Sequence, residues 1–223
     1  MAPRPSAKRA LPRRLQPARL LERYHRRTRR RVPWLQTLAL LTLLPLLALI
    51  SRVRVTGREN IPDGGYIAAS NHPSNLDALF VALAIRRRIR FMAKSELFGG
   101  RWGGLLNRLG AFPVRRGVWD GDAFETAATV LERGRVVSIF PEGGVHSDRV
   151  PAKPGVGHIA HLAGATVVPV YLDGTRSLYT PWRRPKVRVV VGVPLQVQHD
   201  AAPSRERSLK TAQRVLDAIH ALR

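Results

Sequence analysis

The residues best suited to chemistry lie in Ser70-Asn71-His72-Pro73-Ser74-Asn75-Leu76-Asp77, where an imidazole is followed, after four residues, by a carboxylate. A short apolar run at residues 66–69 precedes this stretch and reads as a buried strand, and residues 78–85 read as a helix. His72 is therefore expected where a strand ends, and Asp77 in the first turn of the next helix. So placed, Asp77 can steady one ring nitrogen while the other takes a proton from a hydroxyl. A structural role competes with this one. Ser74 as N-cap and Asp77 three residues on resemble a capping box, with Asp in place of the usual Glu or Gln, and capping alone would account for both.

Strands and helices alternate through the rest of the chain. Residues 53–57 read as a first strand, followed by a turn at Pro62-Asp63-Gly64-Gly65. Residues 89–93 read as a strand that carries Lys94 at its end, and residues 111–114 as another that ends at Arg115-Arg116. A buried strand at residues 136–140 leads to Glu142, and residues 166–172 and 187–193 are further strands. Helical spacing marks residues 121–133, closed by Gly134, and residues 154–163, closed by Gly164. The last helix, residues 204–222, has Leu209, Ala212, Val215, Leu216, Ile219 and Leu222 on one face. The pattern predicts an α/β fold: a mixed, largely parallel central sheet flanked by helices. In such sheets the carboxyl ends of the strands line the ligand crevice. His72, Lys94, Arg116 and Glu142 all fall at or just after strand ends.

Four blocks occur in order. They are His72 to Asp77, then Gly110-Ala111-Phe112-Pro113-Val114-Arg115-Arg116, then Ile139-Phe140-Pro141-Glu142-Gly143, then Val167-Val168-Pro169-Val170. The ordered set resembles the glycerolipid acyltransferase family that includes the 1-acylglycerol-3-phosphate acyltransferases, over about residues 52–200. The resemblance implies that family's fold, with His72 as general base, Asp77 as its support, and no covalent intermediate. Direct transfer agrees with the absence of cysteine and of a Gly-x-Ser-x-Gly elbow.

For the acceptor, the resemblance implies that Arg116 binds phosphate. Arg115 stands where many relatives have Asp, so either arginine can face the site, and a solvated pair is the alternative. Lys94, in Lys-Ser-Glu-Leu-Phe, resembles a family lysine and would add a point charge for the same phosphate. Glu142, with Gly143 beside it, would position the acceptor; an exposed turn carboxylate is the competing role. Relatives usually continue Glu-Gly-Thr-Arg-Ser, whereas here the chain reads Glu142-Gly143-Gly144-Val145-His146-Ser147. The missing arginine leaves His146, Arg149 or Lys153 to replace it, or a different acceptor. His158 and His161 stand three apart without further ligands at suitable spacing, so no metal is expected.

Composition narrows the classes further. The 223 residues suffice for one domain with appendages, and carry no Cys and a formal charge of +23. Disulfides, thiolate metal sites and a cysteine nucleophile are thereby excluded. Neither a dinucleotide fingerprint nor a Walker loop is present, so no cofactor is expected, only acyl-CoA or acyl carrier protein as co-substrate. Charge of this sign attracts anionic partners. No nucleic-acid-binding motif accompanies it, and nucleic acid is not expected.

Three regions are predicted: a basic, partly disordered arm at residues 1–32, an apolar membrane anchor at 33–51, and an acyltransferase domain at 52–223. Twelve basic residues and one acidic residue precede position 52. Residues 15–31 are expected to form a basic amphipathic helix lying on an anionic membrane surface, with Leu20, Leu21 and Tyr24 on one side. The apolar run at 34–50 would reach about 26 Å as a helix, short of the ~30 Å hydrocarbon core. Basic residues flank it on both sides, so a kinked, re-entrant anchor and a single span stay open.

The expected function is transfer of a fatty acyl group to the free hydroxyl of a lysophospholipid, at the cytoplasmic face of the cell membrane. The first choice of acceptor is 1-acylglycerol-3-phosphate, giving phosphatidic acid. Glycerol 3-phosphate, another lysolipid or a lyso-aminolipid are alternatives within the chemistry. A basic nucleic-acid-binding protein or an inactive membrane-binding scaffold are the alternatives outside it.

Overall fold

The computed structural model describes residues 18–145, 150–179 and 184–223. Among them, β1 (Arg52–Thr56), β2 (Ile67–Ser70), β3 (Ile89–Lys94), β4 (Ala111–Val114), β5 (Val136–Ile139), β6 (Val167–Asp173) and β7 (Lys186–Val191) form one sheet. Its order is β1-β7-β6-β2-β5-β3-β4. Neighbours run parallel except β6 and β7, which pair antiparallel. The expected mixed, largely parallel sheet is thus present.

Side-chain alternation along the strands divides the core into two layers. Ile67, Ala69, Val137, Ile139 and Val167 pack against α5 (Gly121–Glu132), α6 (Gly155–Ala163) and α7 (Arg205–His220). Tyr66, Ala68, Val136, Val168 and Val170 face the other way, toward α2 (Trp34–Ile50) and α3 (Asp77–Ile85). Fully burying one large aliphatic or aromatic side chain contributes about 1.5–3 kcal/mol, so these two layers dominate the stability. The α6–α7 contact is close enough to need glycine, because a Cβ on Gly157 would lie 2.0 Å from the Ser208 carbonyl oxygen. The buried face of α7 differs slightly from the predicted one: Ser208 is buried and Leu209 exposed, while Ala212, Val215, Leu216 and Ile219 point inward as expected.

The N-terminal helices depart further from expectation. Helix α1 (Ala18–Arg30) turns Leu21, His25 and Thr28 toward the domain. His25 Nδ1 is 3.0 Å from Thr126 Oγ1 of α5, and the Asn107 amide donates to Thr28 Oγ1 at 2.8 Å from α4 (Gly103–Arg108). The side of α1 that carries Leu21 is thus occupied by protein and is not offered to a membrane. Leu21 is its one buried leucine, so hydrogen bonds, at about 1 kcal/mol each, carry a large share of its attachment. The preceding residues of the predicted arm, 1–17, lie outside the described residues.

Helix α2 runs through Pro45 over 17 residues. Gln36 and Leu47 are turned inward, and the Gln36 amide donates to the Ile89 carbonyl at 2.9 Å. Trp34, Leu38, Leu41, Leu46 and Leu49 are exposed on its other side. No helix among the described residues is long and apolar enough to cross a membrane. Arg58, one of the basic residues that follow the apolar run in sequence, donates to the Ala84 and Leu83 carbonyls and closes the end of α3.

Candidate active site

Strand order decides which polar groups meet. Strand β5 is inserted between β2 and β3, with Ala69 opposite Ile139 and Phe91 opposite Ser138. Three residues beyond Ala69 comes His72, and three beyond Ile139 comes Glu142. The two emerge side by side although 70 residues separate them, and the His72 N–H donates to Glu142 Oε2 at 3.2 Å. Next along the same edge come Lys94, paired in register with Val114, and then Arg115 and Arg116. From β2 to β4 there are three strand spacings, about 14 Å in all, a gap that long basic side chains partly close.

The His72–Asp77 pair is formed. Nδ1 and Asp77 Oδ2 are 2.8 Å apart, with the carboxylate fully buried and the imidazole side chain 11% exposed. An Nδ1–H donating to the carboxylate leaves Nε2 as an acceptor, and Nε2 has no protein partner among the described residues. The same Oδ2 accepts the Ser74 N–H at 2.7 Å, and the Asp77 N–H donates back to the Ser74 carbonyl at 3.2 Å. The expected N-cap at Ser74 is not found, since Leu76 holds that position and no side chain caps the helix; one carboxylate oxygen instead ties the preceding turn and supports the imidazole. The constraint from the helix start is what fixes Asp77 under the ring.

Two further residues hold the imidazole that sequence reasoning did not single out. Asn71 uses its carboxamide as an extra ladder rung, donating to the Leu172 carbonyl at 2.8 Å and accepting the Leu172 N–H at 2.7 Å. It thereby pins the backbone just before His72 to β6. Phe140 stacks on the imidazole at a centroid distance of 3.8 Å and an interplanar angle of 13°. The available signals were an amide directly after a buried strand, and an aromatic residue within the Phe-Pro-Glu-Gly block.

Glu142 is buried, not an exposed turn carboxylate. Burial raises its pKa above the usual carboxylate value, assisted by the nearby Asp77 and opposed by the His72 N–H. Gly143 follows in a left-handed conformation, φ +72°, and donates to the Phe140 carbonyl at 2.9 Å. A side chain there would be strained and would also meet Lys153, whose Nζ lies 2.6 Å from the position of a Cβ. The Lys153 ammonium therefore rests directly over Gly143. Of the three residues considered to replace the absent arginine, Lys153 is at the site; His146 and Arg149 lie outside the described residues.

The basic pair divides its work. Arg115 donates through its backbone N–H to Asp120 Oδ2 at 2.7 Å and through its guanidinium to Oδ1 at 2.8 Å. Burial opposes the Asp120 charge, yet these hydrogen bonds and the guanidinium outweigh it and hold the pKa below the usual carboxylate range. Arg116 is exposed and has no hydrogen-bond or ion-pair partner among the described residues. Lys94 is likewise exposed at the end of β3. Among the described residues, the free cations at this edge are thus Lys94, Arg116 and Lys153.

The two histidines considered for metal take other roles. His161 contacts the Gln198 carbonyl and Thr211 Oγ1, both at 2.9 Å, and His158 packs edge-on against Trp119 at 4.5 Å. Trp102 is exposed, and Trp182 lies outside the described residues.

What the arrangement can do is take a proton from a hydroxyl at Nε2 while cations on the neighbouring strands hold an anionic group. Comparison with known proteins identifies the family. The Acyltransferase family model matches residues 52–173. The chain is 34% identical to the 1-acyl-sn-glycerol-3-phosphate acyltransferase of Bacillus subtilis (strain 168), over 73% of this chain and 83% of that protein. It is 30% identical to the human 1-acyl-sn-glycerol-3-phosphate acyltransferase alpha, over 65% of this chain and 56% of that one. The crystal structure of the 1-acyl-sn-glycerophosphate (LPA) acyltransferase PlsC from Thermotoga maritima superposes with a TM-score of 0.59 at 26% identity, covering 92% of this chain and 77% of that one. With the ordered blocks, the strand order and these relatives in agreement, the chain belongs to the acyltransferase family, as an enzyme of the 1-acylglycerol-3-phosphate acyltransferase-like group.

Proposed function

We propose that this acyltransferase moves a fatty acyl group from a thioester donor, acyl-CoA or acyl carrier protein, to the free hydroxyl of 1-acylglycerol-3-phosphate, giving phosphatidic acid. The observation that carries the reading is His72 held at 2.8 Å by a buried Asp77, with its second ring nitrogen unpartnered among the described residues and its backbone N–H on Glu142. Nε2 takes the hydroxyl proton as the acceptor oxygen forms a bond to the thioester carbonyl carbon. Collapse of the tetrahedral oxyanion breaks the carbon–sulfur bond, and the imidazolium returns the proton to the leaving thiolate. Asp77 stabilises the imidazolium between the two steps. General-base catalysis supplies typically ~10²–10⁴-fold, and holding alcohol and thioester together supplies up to ~7–11 kcal/mol more.

Arg116, Lys94 and Lys153 bind the acceptor phosphate in this reading, and Glu142, through its carboxylate, orients the acceptor beside His72. Lys153 over Gly143 supports a phosphate-bearing acceptor despite the altered block after Glu142. The exposed leucines and Trp34 of α2 support a monotopic attachment to the cytoplasmic face of the membrane, where both substrates reside. The test is to incubate the protein with labelled acyl-CoA or acyl carrier protein and a panel of lysolipids, glycerol 3-phosphate and a lyso-aminolipid, and to identify products by mass. Phosphatidic acid as the main product is expected. If no acceptor is modified with either donor, the chain is a scaffold and the reading fails.

Glu142 offers a separable prediction. Its pKa in the fold lies above the unfolded value of 4.5, so the protonated form is the one that favours folding. That contribution is complete below about pH 4.5 and is lost as pH rises through the folded value. At neutral pH the ionised carboxylate therefore costs stability, and Glu142→Gln, which keeps an oxygen for the His72 N–H, removes that cost. The expected variant melts a few degrees higher at pH 7.5, with a gain that shrinks toward pH 4.5, while acyl transfer falls about 10–100-fold. Thermal melts across pH, set beside initial rates, check both halves.

A further inference from the structure

A second strongly basic feature lies at the opposite edge of the sheet. Where β3 begins and α5 turns into β5, a cleft of about 570 Å³ opens against α2. Arg86, Arg87, Arg88, Arg90 and Arg135 line one side, Leu40 and Leu41 of α2 the other, and no carboxylate among the described residues contributes to the wall. A smaller adjoining hollow shares Arg90 and adds Arg27, Arg31 and Arg108. Strand β3 spans six residues, about 20 Å at the usual rise, between this cleft and Lys94 at the active-site edge. The cleft is therefore not part of the acceptor-phosphate site.

Arg90 is only 3% exposed. Buried charges are ordinarily paired, yet no carboxylate pairs with Arg90 among the described residues. Its guanidinium donates to the Thr28 and Asn107 carbonyls at 3.3 and 3.5 Å, and to the Arg31 carbonyl, while Nε has no partner. Carbonyls at the end of α1 offset part of the charge; the surrounding guanidinium groups add to it. Burial, then Arg135 and Arg27, lower the Arg90 pKa to about 10. Arg86 adds a backbone observation. It closes α3 at φ +56°, the one non-glycine residue with positive φ among the described residues, at a position where glycine is usual. A long basic side chain is kept there against its conformational preference.

We propose that this cleft docks the headgroup of an anionic phospholipid, with the acyl chain continuing along the exposed apolar side of α2. The arginines account for an anion. Leu40 and Leu41 in the wall, with Leu38 and Leu49 exposed beyond it, account for an amphiphile over a free ion. The site holds a membrane lipid without acylating it, and its occupancy orients α2 and the catalytic edge relative to the bilayer. It does not depend on the identity of the acyl acceptor.

The experiment uses the full chain and the pair Arg86→Gly with Arg88→Gln. Glycine suits the backbone at 86, and Arg88 is exposed, so the fold is retained. Affinity for phosphatidylcholine vesicles containing phosphatidylglycerol is expected to fall about 10- to 30-fold. The control pair Lys210→Gln with Arg214→Gln, exposed on α7 and equal in charge removed, should change it less than about twofold. Equal weakening by both pairs would mean a diffuse field and no site, and would overturn the proposal. Monomeric dihexanoylphosphatidylglycerol should raise the melting temperature of the unsubstituted protein more than that of the cleft variant. Inorganic phosphate producing the same rise at the same concentration would replace the lipid with a free anion and overturn the assignment. His72→Ala should leave all of these binding readouts unchanged, so a failure of the catalytic reading would be seen separately.

Discussion

Replacing His72 with alanine is expected to lower acyl transfer by about 10²–10⁴-fold while leaving the protein folded. The ring contributes its stacking on Phe140 and its bond to Asp77, but the Glu142 contact is made by the backbone N–H and survives the substitution. Asp77 has to be tested differently, since its Oδ2 also accepts the Ser74 N–H at the start of α3. Asp77→Ala removes the support and the turn's hydrogen bond together and should cost about 1.5–3 kcal/mol of stability, as for a hydrogen bond to a charged group. Asp77→Asn separates the two. Its carbonyl oxygen can replace Oδ2, and its amide nitrogen takes the place of Oδ1, which has no partner among the described residues. The asparagine variant should therefore melt close to the unsubstituted protein yet lose most of its rate, because a neutral group no longer stabilises the imidazolium. Initial rates and thermal melts on the three variants suffice. Full activity in well-folded His72→Ala would remove the imidazole from the mechanism.

The second large effect is a contrast between adjacent arginines. Arg116→Ala should raise the KM for a phosphate-bearing acceptor by about 10–150-fold, as expected for losing charge-assisted hydrogen bonds worth ~1.5–3 kcal/mol. Its melting temperature should not move, because Arg116 is exposed and has no partner among the described residues. Arg115→Ala should do the reverse. Asp120 is buried, and without the guanidinium it keeps only the backbone N–H of residue 115 as its bond from that side. A carboxylate left so poorly paired lowers stability, by an amount limited because Arg115 is itself 42% exposed and solvent screens the pair. Acceptor KM for Arg115→Ala should change little. A similar KM increase in both variants would show that the pair acts as one cationic surface, and the division drawn from the structure would be wrong.

These two experiments fall on either side of what could be read from residues alone. The His72–Asp77 contact was legible because it is local. A strand end, a short connection and a helix start leave few ways to place two side chains that close in sequence. Lys94, Arg116 and Glu142 were legible as strand-end residues for the same reason, since apolar periodicity marks where strands stop. That Arg115 turns to Asp120 was not legible, because either of two adjacent arginines fits the spacing and only the burial of Asp120 selects between them. Leu20, Leu21 and Tyr24 on α1 read from the sequence as one side of a helix lying on a membrane. The tertiary fold assigns the side with Leu21 to protein.

By itself the sequence determined the alternation of strands and helices, the residues each strand would present at its end, and the nearness of His72 to Asp77, all consequences of interactions between near neighbours. Only the tertiary structure decided that β5 enters between β2 and β3, which brings Glu142 to the His72 backbone. It alone gathered Arg90 and the arginines around it into a cleft against α2. The physical reason is common to both. Hydrophobic periodicity specifies which face of an element is buried, but strands with equivalent buried faces can be ordered in many ways. The choice is made by packing and hydrogen bonding between segments far apart in the chain.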